Sequence, residues 1–300
     1  MKFPHFLAKG SHIGLVAPAG KTDKETVERA ITILNNRGYR VIVGDHALNQ
    51  HYQMAGKDHD RLNDLQSFMN RSDIDAIFCI RGGYGTIRII DQLDFTHFIT
   101  SPKWIVGFSD ITVLHSCLQN KYQIASIHGI MPKGYQRIDN SVPDFEFLIK
   151  NLEGEFPSIQ IEPHVLNKKG KSEGHLWGGN LSLLHALRGT PYDFDPEGKI
   201  LFIEDIGDYL YRIDRVIHNF KLGGIFEKIS GLIVGQFTNM LDNDIPFGQS
   251  AYEIIYDAVK DADYPVIFNF PAGHESPNYP LVFGKTVSLD VNQQGSLLIV

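Results

Sequence analysis

The sequence predicts an α/β chain: an N-terminal domain built on a parallel sheet with helices on both faces, then a smaller α/β or β-rich C-terminal domain. Three observations predict it. Short β-rich runs alternate with helical patterns through the first half, the pattern of strands joined by crossover helices. Two strand ends run directly into turns bearing glycine or serine, at Arg81–Gly85 and Gly107–Asp110. From about Lys133 to Ser172 the alternation stops and Pro143, Pro157 and Pro163 enter with mixed charge, the composition of a connection between domains. The expected domains are 1–150 and 171–300, with 151–170 as linker.

His12–Ala17 is apolar and β-branched and reads as the first strand. After the turn Pro18–Lys21, Thr22 and Glu25 form a capping-box pattern, and Val27, Ala30, Ile31 and Leu34 recur at helical spacing until Gly38. Tyr39–Val43 is the second strand. Leu62, Leu65 and Met69 mark one face of the next helix, followed by a strand Asp75–Ile80, the turn Arg81-Gly82-Gly83-Tyr84-Gly85 and a further helix. The unit repeats with Lys103–Val106, the turn Gly107-Phe108-Ser109-Asp110, a helix Ile111–Gln119 and a strand Gln123–Ile127. In open parallel sheets ligands bind at the carboxyl edge, where helix N-termini converge. Beyond the linker come a helix through Leu181, Leu184 and Leu187, a strand Ile200–Glu204, a helix Tyr211–Leu222, a strand Gly231–Gln236 and a closing helix–strand–hairpin region.

A net charge of −7 with no basic run excludes a nucleic-acid surface, which needs clustered Lys and Arg. Pro4, His5, Lys9 and Gly10 interrupt the first twenty residues, so no signal-peptide core is expected. No uncharged apolar run approaches membrane-spanning length. Cys79 and Cys117 lack a CxxC spacing and read as packed, reduced thiols. A cytoplasmic location and a small-molecule or peptide partner are expected, with no membrane.

Ser109 is the candidate nucleophile, because a serine between strand end and helix start sits on a sharp turn and the following N–H, from Asp110, can face an oxyanion. The usual elbow has glycine two residues after the serine, where this chain has Ile111. A helix cap is the competing role. The Gly82–Gly85 turn offers further N–H groups as phosphate cradle, oxyanion hole or simple tight turn. It lacks the lysine of a P-loop and a full G-x-G-x-x-G. Glu204 ends the apolar strand Ile200–Ile203, where a carboxylate can orient a histidine or pair with Arg212 or Arg215; Asp205 and Asp208 are its alternatives. His274, in the Pro- and Gly-rich loop Phe270–Glu275, is the candidate general base among thirteen histidines. His5, His51, His97 and His218 read as exposed, while His12, His128 and His175 lie near strand ends as structural groups or substrate contacts. No HExxH or paired His/Cys spacing predicts a metal, and no cofactor is expected.

Across nearly the whole chain these segments resemble the LD-carboxypeptidase family of serine peptidases, which includes muramoyltetrapeptide carboxypeptidases and microcin-immunity hydrolases. The resemblance rests on Gly14-Leu15-Val16-Ala17-Pro18-Ala19-Gly20, Arg81-Gly82-Gly83-Tyr84-Gly85, Gly107-Phe108-Ser109-Asp110, Gly178-Gly179-Asn180-Leu181, Leu201-Phe202-Ile203-Glu204-Asp205 and Ala272-Gly273-His274. It implies a triad of Ser109, His274 and Glu204, an oxyanion hole from the N–H groups of Gly83 and Asp110, and a site formed where two domains meet. It further implies acyl transfer releasing a D-amino acid, typically D-alanine, from a muropeptide stem during peptidoglycan recycling, and a homodimer. Arg81, with Tyr84 beside it in the turn, is a candidate for the substrate carboxylate, or alternatively a structural ion pair; Trp177 is a candidate to stack on a base if the substrate is a peptidyl nucleotide. The remaining alternative is a non-catalytic module that closes on a small anionic ligand.

Overall fold

The computed structural model describes residues 1–138, 143–293 and 295–299. The chain divides into two compact units, Met1–Phe156 with Tyr279–Phe283, and Pro157–Asn278 with Gly284–Val300.

The first unit contains, in order, β1 (His12–Val16), α1 (Lys24–Asn36), β2 (Arg40–Val43), α2 (Asp58–Asn70), β3 (Ala76–Cys79), α3 (Thr96–Thr100), β4 (Trp104–Gly107), α4 (Thr112–Tyr122), β5 (Ser126–His128) and α5 (Asp144–Leu152). The second contains β6 (Ile159–Ile161), β7 (Gly170–Asn180), α6 (Leu181–Ala186), β8 (Ile200–Ile206), α7 (Leu210–Leu222), β9 (Gly231–Thr238), α8 (Ala251–Val259) and β10 (Val266–Ile267). Then β11 (Leu281–Phe283) returns to the first unit, and β12 (Thr286–Asn292) and β13 (Gly295–Ile299) complete the second.

The first sheet runs β11-β5-β4-β3-β1-β2, parallel throughout except for β11, which pairs antiparallel with β5. Alternation along the strands divides its residues between two faces. Ile13, Leu15, Phe78, Trp104 and Val106 join one core with Val27, Ala30 and Leu34 of α1 and Leu148 and Leu152 of α5. On the other face Gly14 lies so close to Phe68 of α2 that a Cβ there would sit 2.5 Å from its ring. The helix after the glycine turn is not an α-helix: two 3₁₀ turns, Thr86–Arg88 and Ile90–Gln92, occupy that place. The β-branched run Thr86, Ile87, Ile89, Ile90 disfavours the α conformation. At α1 the cap is Asp23, whose carboxylate accepts the Thr26 N–H at 2.8 Å, one residue beyond the expected Thr22.

The second sheet runs β10-β9-β8-β7-β12-β13-β6, with β10 to β7 parallel and β12, β13 and β6 joined antiparallel. Leu201, Ile203, Leu232 and Val234 pack with α6, α7 and α8 in its core. Two stretches depart from the sequence-based boundaries. The expected linker 151–170 holds the end of α5 and also β6, because Ile159 is buried against Leu298 in the ladder with β13. Tyr279–Phe283, expected in the C-terminal domain, belongs to the first unit because Leu281, Val282 and Phe283 complete the edge beside β5.

Candidate active site

Strand β4 ends at Gly107, Phe108 continues extended, and Ser109 turns the chain with φ of 62° into the 3₁₀ turn Ser109–Ile111 that leads α4. A non-glycine residue in this left-handed region costs about 1–3 kcal/mol and persists only where the surroundings enforce it. The helix-cap position belongs to Phe108, so Ser109 is the first residue of the turn and not its cap. The departure from the usual elbow pattern has a local solution. A Cβ on Gly107 would lie 2.9 Å from Cγ1 of Ile111, so glycine two residues before the serine makes room for isoleucine two residues after it.

The glycine turn lies against this elbow. A Cβ at Gly82 would stand 2.9 Å from Cβ and 3.2 Å from Oγ of Ser109. Gly20 N–H donates to Gly82 O at 2.9 Å, which draws the Gly14–Gly20 segment into the same corner. Gly83 has φ of 111° and Gly85 of 142°, both in glycine territory. Asp110 is 1% exposed and its Oδ2 accepts the Thr86 N–H at 2.9 Å. Burial pushes its carboxyl pKa up, against the lowering effect of the Thr86 and Gly85 N–H groups and Arg61.

In the second unit Glu204 is fully buried near the end of β8, and its Oε2 lies 2.7 Å from Nδ1 of His274. A carboxylate only accepts, so Nδ1 carries the proton and Nε2 is the basic nitrogen. Burial lowers the imidazole pKa, but the charge and hydrogen bond of Glu204, with Asp205 adding, raise it overall. The partner of Glu204 is thus the histidine; the guanidinium of Arg212 instead faces Asp208 at 3.5 Å.

The loop around His274 is clamped by polar groups that no motif in the sequence marks. Gln236 of β9 accepts the Glu275 N–H at 2.8 Å and donates to Pro277 O at 3.1 Å, while Asn278 accepts the Gly273 N–H at 3.1 Å. Gly273, with φ of 145°, passes so close that a Cβ would be 3.3 Å from Glu204 Oε2. The signal in the sequence is Gln236 itself, the one polar side chain in the expected strand Gly231–Gln236. Asp205, also buried, accepts from Asn180 Nδ2 at 3.0 Å and from the N–H and hydroxyl of Ser182 at 3.0 and 2.7 Å. Burial and the neighbouring Glu204 charge push its pKa up to about 6 despite those bonds.

Other expected residues fall as follows. Arg81 is half-buried and donates to Lys21 O at 2.8 Å, a backbone acceptor in place of an ion pair. Tyr84 is 46% exposed. Trp177, a candidate for stacking on a base, is 2% exposed and stacks on Phe194 with ring centroids 3.5 Å apart, in the core it shares with Leu181, Leu184 and Phe220. His128 is buried between Phe108 and Phe283, His12 faces Asp73 O, and His175 is exposed beside Thr286. Cys79 and Cys117 are buried and unbridged, burial pushing the Cys117 thiol to about 12. Among the described residues there is no cluster of three or more His, Cys, Asp or Glu suited to a metal, and no helix is long and apolar enough to cross a membrane.

Each unit carries a recognised domain. Residues 13–129 match the LD-carboxypeptidase N-terminal domain, which here holds Ser109, and residues 173–289 match the LD-carboxypeptidase C-terminal domain, which holds Glu204 and His274. The chain is 33% identical to a probable murein peptide carboxypeptidase of Bacillus subtilis over 298 residues, covering 98% of this chain and 93% of that one. It is 28% identical to the murein tetrapeptide carboxypeptidase of Pseudomonas aeruginosa, covering 94% of each. The crystal structure of muramoyltetrapeptide carboxypeptidase from Oxalobacter formigenes superposes with a TM-score of 0.87 at 29% identity, covering 96% of this chain and 98% of that one. Matched in both domains and along almost its full length, the chain belongs to the LD-carboxypeptidase family.

Proposed function

We propose that this protein is a serine LD-carboxypeptidase that removes the C-terminal D-amino acid, typically D-alanine, from peptidoglycan-derived tetrapeptides. The observation that carries the reading is the left-handed Ser109 at the end of β4. Strain of this kind serves no capping purpose, and it projects a hydroxyl at the sheet's carboxyl edge beside a glycine turn.

In this reaction Nε2 of His274 takes the Ser109 proton as Oγ attacks the scissile carbonyl, and Glu204 stabilises the imidazolium so formed. The N–H groups of Asp110 and Gly83 receive the oxyanion. The imidazolium then protonates the leaving amine, water enters, and the same imidazole assists hydrolysis of the acyl-enzyme. The names of the relatives support a murein peptide as substrate. Hydrolysis of a peptidyl nucleotide would use the same three residues, and the buried Trp177 gives it no base platform. Cytoplasmic action on recycled fragments and a homodimeric state complete the reading.

The test is Ser109→Ala, assayed by D-alanine release from a purified muropeptide tetrapeptide. Turnover should fall by roughly 10⁴ to 10⁶ with an unchanged circular dichroism spectrum. Activity retained in that variant removes Ser109 from the mechanism, and exclusive attack on a peptidyl nucleotide overturns the substrate assignment.

A further inference from the structure

Oxyanion stabilisation depends on donors held at a fixed spacing before charge develops. Here one of the two donors sits in a turn with three glycines among four residues, Gly82 to Gly85, the most conformationally free backbone available. No side chain of those glycines can hold the turn in place. It is anchored instead at its two ends. At one end the Gly20 N–H binds Gly82 O at 2.9 Å. At the other, Asp110 Oδ2 takes the Thr86 N–H at 2.9 Å, with the Gly85 N–H also favouring its charged form. Gly83 lies between these anchors.

The partners of Asp110 distinguish this arrangement from ordinary helix capping. An acid in the first turn normally serves the N–H groups of its own helix. Asp110 reaches 24 residues back to the adjoining loop. Nor is its charge useful to the chemistry, because an anion beside a developing oxyanion opposes it. What the buried side chain offers is an accepting oxygen at a fixed distance from the elbow that bears it.

We propose that the Asp110 side chain is a positioning residue that locks the glycine turn onto the nucleophile elbow, setting the Gly83 and Asp110 N–H donors at one spacing before substrate arrives. This rests on the reading of Ser109 as nucleophile and assigns the side chain a task separate from that of its own backbone N–H.

The experiment compares Asp110→Ala with Asp110→Asn in the full chain. Alanine removes the acceptor, and kcat should fall by about 10² to 10³, the loss typical of one oxyanion donor, with KM within about threefold of the parent. Asparagine keeps an oxygen toward Thr86 without the charge and should recover kcat to within about tenfold of the parent. Affinity for a peptide boronic acid, which places a tetrahedral oxygen in the hole, should fall with alanine and return with asparagine. If Asp110→Ala does not fold, Asp110→Ser withdraws the acceptor more mildly and carries the same expectations. Alanine within threefold of the parent in kcat, equal impairment of both substitutions, or unchanged boronate affinity overturns the tether. Ser109→Ala is run alongside: if it stays active the nucleophile reading falls, whereas an inactive Ser109→Ala beside an unimpaired Asp110→Ala removes the tether alone.

Discussion

Replacing Glu204 with glutamine separates charge from shape at the dyad. The carboxylate is fully buried and its Oε2 lies 2.7 Å from Nδ1 of His274. At that separation, with an effective dielectric of about 20, an imidazolium–carboxylate pair is worth ~6 kcal/mol. A carboxamide oxygen retains a neutral hydrogen bond of about half the strength. The net loss in the transition state is then ~3 kcal/mol, or about 10² in kcat. If the amide turns its NH₂ toward the ring, the histidine adopts the wrong tautomer and the loss grows toward about 10⁴. The pH dependence gives a second, independent reading. A general base must be neutral, and the His274 pKa is raised above its ordinary value, so the proposed activity should fall as pH drops through that raised value. In Glu204→Gln the lowering effect of burial is opposed only by Asp205, and the acid limb moves to lower pH. The assay is D-alanine release from a muropeptide tetrapeptide, with kcat and kcat/KM followed from pH 5 to 9. A variant with kcat within threefold of the parent and an unmoved acid limb would refute the reasoning.

Three further outcomes follow from the same geometry. Ser109→Gly should be inactive yet more stable by up to about 1 kcal/mol, because glycine tolerates φ of 62°; an unchanged or lower melting temperature would contradict the strain. Asp205 has a folded-state pKa of about 6 against the usual carboxylate range near 4, so its ionisation weakens the fold as pH rises between these values; Asp205→Asn should flatten that slope in urea titrations, by roughly 3 kcal/mol at full effect. Gly107→Ala should destabilise by about 1–3 kcal/mol through the 2.9 Å approach to Ile111, and Ile111→Ala in the same chain should recover part of it.

The strands were legible because fully buried strands read as unbroken apolar runs, as Ala76–Cys79 and Ile200–Ile203 do. The candidate site residues are visible as punctuation: Ser109 and Glu204 follow such runs, and His274 stands among Pro and Gly. What stayed hidden depends on tertiary pairing. Trp177 shows its type but not its neighbours: Leu176–Asn180 are buried on both faces of β7, and only the tertiary packing sets Trp177 against Phe194. Leu281–Phe283 is apolar in either unit, and only its pairing with β5 decides where it belongs. Gln236 closes the expected strand Gly231–Gln236, and only the fold shows its side chain holding the segment after His274 through the Glu275 N–H and Pro277 O.

A common device recurs in the two units. Ser109 is followed by Asp110 and Glu204 by Asp205, each pair at the carboxyl end of a parallel strand. In both pairs the aspartate is buried and accepts a backbone N–H from a neighbouring segment, Thr86 in one unit and Ser182 in the other. Burial raises both carboxyl pKa values, so in each case the charged side chain costs folding stability. A helix or turn could be closed more cheaply by an exposed Ser or Asn cap. The costlier arrangement fits a different need. The residue after a reacting group shares its backbone, so anchoring that neighbour's side chain fixes the orientation of the reacting group without occupying the space where substrate must lie.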